Sequence, residues 1–190
     1  MIAVSRKYTA IGGKSRAGGY TVLELMLAVA IVAIVAGFAV PSFLSTIRAN
    51  RTVTINNELV SALTLARSEA IKRGNRVTVC PTADQVSCLA GGTWESGWIV
   101  FDDPAGAGAV DSGETILRVW EAATGGTTIR AAASFSDFVS FVGSGETRAT
   151  PSNTDSFYVC NQEGELANGR TITVGVIGYA KTQKGAAACP

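Results

Sequence analysis

The sequence predicts an α+β protein in which one long N-terminal helix, membrane-spanning in its first half, packs on an antiparallel β-sheet domain. Two observations predict this class. The first is an uninterrupted apolar segment, Leu25 to Val40, near the N-terminus. The second is a series of short strand-like runs separated by glycine-rich turns, which is the spacing of antiparallel strands rather than of alternating strands and helices.

Residues 1–19 form a short basic leader that ends in glycine. It has no acidic residue and four cations, which are Arg6, Lys7, Lys14 and Arg16. Residues 20–40 then form a 21-residue segment, about 31 Å long as a helix. A bilayer core is about 30 Å thick, so this segment is long enough to span it. The cationic flank stays cytoplasmic, which places the C-terminal part in the periplasm.

Glu24 is the one carboxylate in this apolar segment. A charge near the end of a spanning helix is expensive and usually functional. Without Glu24, a plain single-pass anchor would be the preferred interpretation. Ordinary secretory signals are also a poor fit, because their cleavage site follows the apolar core.

Residues 41–74 are predicted to continue the helix past Pro41 as an amphipathic half that ends at Gly74. Apolar residues recur there at helical spacing: Ile47, Ile55, Leu59, Leu63, Ala66 and Ala70. Glycine is a natural C-cap, and Glu69 with Arg73 forms an i,i+4 pair in the favourable orientation. This apolar stripe must be buried against another part of the protein.

Residues 75–190 are predicted to bury this stripe as a β-rich periplasmic domain. Its strand-like runs are Arg76–Cys80, Gly97–Phe101, Thr115–Trp120, Thr127–Ala131, Phe138–Val142, Ser156–Cys160 and Thr171–Ile177. About 150 residues outside the leader and the apolar segment are enough for one domain with a real core.

The four cysteines all lie in the exported part, which suits two disulfides in an oxidising compartment. Four cysteines allow three pairings. The favoured pairs are Cys80–Cys88, which closes a short loop after a strand, and Cys160–Cys189, which holds the end of the chain. A zinc site is the alternative, but neither the C-x₂₋₄-C spacing nor any histidine is present.

The start of the chain resembles the class III signal of type IV prepilins and pseudopilins. In that family a membrane peptidase cuts after the glycine, here between Gly19 and Tyr20. Glu24 is then the fifth mature residue and Pro41 lies where the family tends to carry proline. Tyr20 replaces the usual Phe and keeps an aromatic ring. The resemblance implies a prepilin peptidase/N-methyltransferase, an inner-membrane assembly platform, inner-membrane lipid and other major and minor pilins as partners.

Later motifs resemble the FimT/GspH branch of that superfamily, and the likeness runs from Gly19 to about Val119. They are Ala66-Arg67-Ser68-Glu69-Ala70 at the helix end and Gly97-Trp98-Ile99-Val100-Phe101-Asp102 in a strand. The resemblance implies a type IV pilin-like fold and a minor pilin in the initiating or tip complex of a pilus. Such a subunit starts in the inner membrane and ends in an extracellular pilus. A minor pseudopilin of type II secretion is one alternative.

The other alternative is a DNA-binding minor pilin for natural transformation. Without the leader's four cations, 12 of the 16 Lys and Arg remain against 15 Asp and Glu, so general nucleic-acid binding is not indicated. A local contact would involve Arg170, Lys181 and Lys184, near the position of a Gly-Arg-x-Arg-like motif in DNA-uptake members. The second arginine of that motif is missing. A basic cluster at the helix end offers another contact or, alternatively, a solvated helix terminus: Arg67, Lys72, Arg73 and Arg76.

No enzyme and no cofactor are expected. The chain has no histidine, so His-based triads and metal sites are excluded. Acidic residues near a glycine-rich loop could hold calcium through oxygen ligands: Asp102, Asp103, Asp111 and Glu114. EF-hand spacing is absent, and a solvated hairpin loop is the preferred interpretation.

Overall fold

The computed structural model describes residues 19–91, 93–149 and 151–189. Residues 1–18 of the predicted leader and the side chain of Pro41 lie outside the described residues. The chain divides into two compact units, at residues 1–42 and 43–190. Within the described residues, the elements are one long α-helix, nine strands and two short 3-10 helices, Trp94–Ser96 and Ala133–Phe135. They form an α+β architecture of one long helix and antiparallel sheets, as the sequence predicts.

Helix α1 runs from Val22 to Arg73 and includes position 41, as predicted. Gly74 ends it with φ of 64°, and the N–H of Asn75 donates to the Ala70 carbonyl at 3.2 Å. Left-handed backbone after the last helical residue is the usual glycine termination. The predicted C-cap is therefore confirmed.

The strands form two antiparallel sheets. The first has the order β3-β2-β1-β5-β6, and the second has the order β4-β7-β8-β9. The strand bounds are β1 Val77–Pro81, β2 Trp98–Asp102, β3 Ile116–Trp120, β4 Thr128–Ala131, β5 Val139–Phe141, β6 Thr147–Arg148, β7 Asp155–Cys160, β8 Arg170–Val174 and β9 Ala180–Lys184. Every pairing is antiparallel.

The amphipathic half of α1 buries its stripe against both sheets. The helix contributes Ile55, Leu59, Ala62, Leu63, Ala66 and Ala70 to one core cluster that also contains residues from both sheets. Leucine side chains fill the space between helix and sheets, and the alanines allow a close approach of the backbones. Burying each leucine contributes about 1.5–3 kcal/mol to the free energy of folding.

An aromatic cluster fastens the second sheet to the segment before β2. Trp94 meets Phe157 of β7 edge to face at 4.8 Å, and Phe157 stacks on Phe135 at 5.3 Å. The Trp94 indole N–H donates to the carbonyls of Phe135 and Ser136 at 3.0 and 3.1 Å. The buried indole is thus satisfied, as such groups require.

Arg67 of α1 joins turns from both sheets. Its Nε donates to the Gly145 carbonyl at 3.0 Å, and its guanidinium lies 4.4 Å from the centre of the Tyr179 ring. Gly178 has φ of 79°, and a Cβ there would come within 2.1 Å of the Gly145 carbonyl oxygen. Only glycine fits between these turns.

Three sequence expectations about the strands need correction. Strands β6 and β9 were not predicted, because β6 has only two residues and β9 is polar and exposed. The run Thr171–Ile177 stops as a strand at Val174, since the Gly178 N–H bonds the Gly175 carbonyl at 2.8 Å and turns the chain.

We expect Ala66→Leu to lower the free energy of unfolding by about 1–3 kcal/mol, because Ala66 is fully buried and extra methylene groups overpack a dense core. Ser68→Leu, at an exposed position two residues later, is the matched control and should change it by less than about 0.5 kcal/mol. Thermal melts of the full chain in detergent, followed by circular dichroism, measure both. Equal effects would contradict the packing described for this stripe.

Candidate processing and assembly site

The predicted cleavage site lies directly before the start of α1. Gly19 and Tyr20 precede the helix, and Tyr20 is 86% exposed. A Cβ on Gly19 would meet no atom within 4 Å. Neither packing nor backbone strain in the described residues therefore demands glycine at this position. A requirement for Gly19 would have to come from a molecule that acts on the chain.

Thr21 caps the helix and positions Glu24 in its first turn. The Glu24 N–H donates to Thr21 Oγ1 at 3.2 Å, and the Leu25 N–H donates to the Thr21 carbonyl at 3.1 Å. The pattern Thr-x-x-Glu is that of a capping box, and a carboxylate in the first turn complements the helix dipole. The sequence prediction omits Thr21, although this pattern ahead of an apolar run is a readable signal.

The first half of α1 exposes its apolar side chains. The large apolar residues from Val22 to Val40 are between 54% and 79% exposed. By length and composition this helix could cross a membrane. A continuous apolar surface of this size is rarely left in water, so it requires lipid or other helices as a cover.

A groove separates the second half of α1 from strand β3. It has a volume of about 540 Å³ and is lined on the helix side by residues from Ile47 to Glu58 and on the other by Val119 to Thr124. A second recess of about 510 Å³ follows between Asn57–Ser68 of the helix and Arg118. Strand β3 is an edge of the first sheet, so within the described residues no further strand pairs with it on this side.

Both disulfides of the structure follow the pairing favoured from the sequence. Cys80 is joined to Cys88 with a Cα–Cα distance of 5.5 Å, and Cys160 is joined to Cys189 at 5.8 Å. Between the first pair, Asp84 accepts hydrogen bonds from the Ser87 hydroxyl and from backbone N–H groups. The Ser87 hydroxyl and these N–H groups hold the pKa of Asp84 below its usual range.

The C-terminal tail has more support than the second disulfide alone. Ala186 is buried and donates its N–H to the Leu166 carbonyl at 2.9 Å. The Gly185 N–H donates to the Gly169 carbonyl at the same distance. Backbone hydrogen bonds therefore hold this tail in addition to the Cys160–Cys189 bridge.

The basic cluster at the helix end is engaged within the chain. Glu69 pairs with Lys72 and Arg73, and Arg73 also lies 3.8 Å from Asp102. The hydrogen bond from Arg73 lowers the pKa of Glu69. Arg76 donates to the Gly106 carbonyl at 3.2 Å. Contacts within the domain therefore favour a structural role for Arg67 and Arg73, whereas the Arg76 guanidinium makes only this one hydrogen bond within the described residues.

The three residues predicted for a DNA contact do not share one face. Arg170 lies opposite Lys184 across β8 and β9, whereas Lys181 lies opposite Thr173. Side chains alternate between the faces of a strand, so Lys181 and Lys184 point to opposite faces. Arg170 also donates to its neighbouring carbonyl of Gly169 at 2.9 Å.

The acidic loop folds around its own backbone. The Asp103 carboxylate is buried and accepts hydrogen bonds from the N–H groups of Gly106, Ala107 and Gly108 and from the Thr78 hydroxyl. Its surroundings are hydrogen-bond donors, the opposite of a cation site. In the described part of the chain, no group of three or more acidic, Cys or His residues is placed to hold a metal ion.

Residues 56–178 match the family described as type II transport protein GspH, and residues 14–40 match the prokaryotic N-terminal methylation motif. The family match extends well beyond Val119, where the likeness seen in the sequence weakens. Among curated proteins no significant match is found.

Two crystal forms of the type IV minor pilin FimU of Pseudomonas aeruginosa have a similar fold. One is 19% identical with a TM-score of 0.58 and covers 74% of this chain and 96% of FimU. The other is 21% identical with a TM-score of 0.53, and it covers 70% of this chain and 96% of FimU. The minor pseudopilin EpsH of the Vibrio cholerae Type 2 Secretion System is 14% identical with a TM-score of 0.44, covering 70% of this chain and 97% of EpsH.

We expect Cys189→Ser to destabilise the protein more than Cys88→Ser. The Cys160–Cys189 bridge spans 29 residues and the Cys80–Cys88 bridge spans 8. In the chain-entropy model, closing these loops stabilises the folded state by about 3.6 and about 2.5 kcal/mol, respectively. Melting temperatures of the oxidised variants measure the difference, and peptide mapping without reductant checks the pairs. A larger loss in Cys88→Ser would mean that apolar packing around Cys80 outweighs loop closure.

Proposed function

This chain belongs to the FimT/GspH family of type IV minor pilins and pseudopilins, and we propose that it is a minor pilin in the initiating or tip complex of a type IV pilus. The observation that carries the proposal is an exposed apolar helix that starts three residues after Gly19 and holds a carboxylate in its first turn. Members of this family are structural subunits, and packing is the activity proposed here.

Processing would come first. The N-methylation motif implies a prepilin peptidase, which we propose to cut between Gly19 and Tyr20 and to methylate the new amine. The helix then stays in the inner membrane, with its C-terminal domain in the periplasm. The start of the helix at Val22 supports this step, because it leaves the bond between Gly19 and Tyr20 outside the helix.

Assembly would then move α1 from lipid into a bundle of helices from other pilins. The transfer costs little, because lipid and a helix bundle are both apolar surroundings. A charged Glu24 would pair with the amine of a neighbouring subunit and fix its register. Buried ion pairs are best supported in such specifying roles, since desolvation offsets most of their attraction.

The groove between α1 and β3 would receive part of a neighbouring subunit. Its floor includes Ile55 and Trp120, and its rim carries Arg51, Glu58 and Glu121. An apolar floor with a charged rim is the usual composition of a protein interface. Pilus assembly would thus cover both halves of α1 on sides that the chain itself leaves open.

A minor pseudopilin of a type II secretion system is the second candidate, favoured by the description of the matching family. A strain lacking the gene separates the two candidates. Loss of surface filaments with normal protein secretion supports the pilus, whereas blocked secretion with normal filaments supports the secretion system.

We expect Gly19→Val to block processing, because the internal structure tolerates a side chain there and only the peptidase site would reject it. Mass spectrometry of the wild-type protein from filaments should find methylated Tyr20 at its N-terminus. Gly37→Val is the matched control, since Gly37 also has open space around it and lies away from the cut. Wild-type filaments that retain residues 1–19 would contradict the proposed cleavage.

We expect Glu24→Gln and Glu24→Ala to insert into the membrane but to enter filaments poorly. Removing the charge makes insertion easier by roughly 2–3 kcal/mol, so only a role between subunits makes the change harmful. Immunoblots of sheared filaments and of membrane fractions measure the two steps.

The two Glu24 variants also separate charge from capping. Glutamine retains the capping-box geometry but not the charge. Thr21→Val, which removes the capping hydroxyl and keeps Glu24, is the matched control and should assemble better than either variant. Normal incorporation of Glu24→Gln would show that helix capping, and not a salt bridge between subunits, is what Glu24 provides.

A further inference from the structure

We propose that a recess beside strand β6 binds a small phosphate ester. The recess has a volume of about 240 Å³ and lies apart from the processing segment and from the groove along α1. Its lining consists of Arg76, Gly106, Phe138, Arg148, Ala149 and Asn153. Two arginines therefore line one cavity, although they are far apart in the sequence.

The recess has more hydrogen-bond donors than acceptors. Arg76 uses Nη1 on the Gly106 carbonyl at 3.2 Å, and its guanidinium has no other hydrogen bond within the described residues. Asn153 Oδ1 accepts the Ala149 N–H at 3.1 Å, so its NH₂ group remains as a donor. Unfilled donors on two arginines and an amide match the several oxygens of a phosphate group.

The described lining contains no carboxylate that would neutralise it. Glu146 pairs with Arg148 at 3.3 Å, but both side chains are nearly half exposed. An exposed pair of this kind contributes little, so a ligand with higher charge can compete for Arg148. The buried Asp103 carboxylate is held by the N–H groups of its own loop.

The loop after β2 makes room for two residues that line the recess, Arg76 and Phe138. Gly106 and Gly108 have φ of 76° and 73°. A Cβ on Gly106 would come within 2.1 Å of Arg76 Nη1, and a Cβ on Gly108 within 2.4 Å of the Phe138 ring. The absence of a side chain at Gly106 and Gly108 thus leaves room for the Arg76 guanidinium and the Phe138 ring. Phe138 adds an apolar wall, which favours an ester with an organic group over a bare ion.

Calorimetric titration of the full chain in maltoside detergent, in buffer without phosphate, tests the proposal. The probes are inorganic phosphate, adenosine 5′-monophosphate and glucose 6-phosphate, with adenosine and glucose as their unphosphorylated controls. We expect binding of the phosphorylated probes only. Tighter binding of either ester than of inorganic phosphate identifies an ester site, whereas binding of inorganic phosphate alone or most tightly contradicts the role of Phe138 and overturns the ester assignment.

Arg76→Gln and Arg148→Gln should each raise the Kd about tenfold, which corresponds to about 1.4 kcal/mol. Arg118→Gln, an equal charge change at an exposed site on β3, is the matched control and should leave the Kd unchanged. Arg148 is exposed, so its variant should melt like the wild type even if Arg76→Gln is destabilised. Absence of binding at millimolar ligand, or equal weakening in Arg118→Gln, would overturn the proposal.

Discussion

The packing of both β-sheets on one apolar stripe of helix α1 is the interaction on which the rest of this structure depends. From Ile55 to Ala70, α1 presents leucines and alanines in turn to a core built from both sheets. The leucines fill the space between the helix and the sheets, as the dense packing of protein cores requires. Residues of both sheets, together with Trp94, meet this stripe in one buried cluster.

The same helix carries a second apolar surface that the described part of the chain does not cover. Up to Val40 the large apolar side chains are exposed, and beyond Ile47 a groove runs between the helix and β3. Folding therefore satisfies only part of the apolar surface of α1. The remainder must be satisfied by lipid or by other helices, which is the physical reason why this chain fits an assembling subunit better than an independent domain.

Local signals account for what the sequence predicted correctly. The apolar run, the i,i+4 stripe and Gly74 fix α1 almost to the residue, because each acts within one or two helical turns. Alternating β-branched runs locate seven of the strands. Strand β9, Ala180–Lys184, escapes prediction because an edge strand needs no apolar face and protects itself with lysines. The division into two sheets depends on contacts between distant residues, which no local pattern contains.

The functional residues also differ in how far the sequence can predict them. Glu24 and Thr21 lie within one helical turn, so their contact can be predicted from the sequence. Arg76 and Arg148 are brought to one recess only by the pairing of β1 with β5 and of β5 with β6, which the sequence does not reveal. The arginines differ in a second respect, which is whether their partners lie inside the domain. Arg67 and Arg73 find ring, carbonyl and carboxylate partners inside the domain and serve the fold. Arg76 and Arg148 line the recess beside β6, and the anion that we propose for this recess would come from outside the chain.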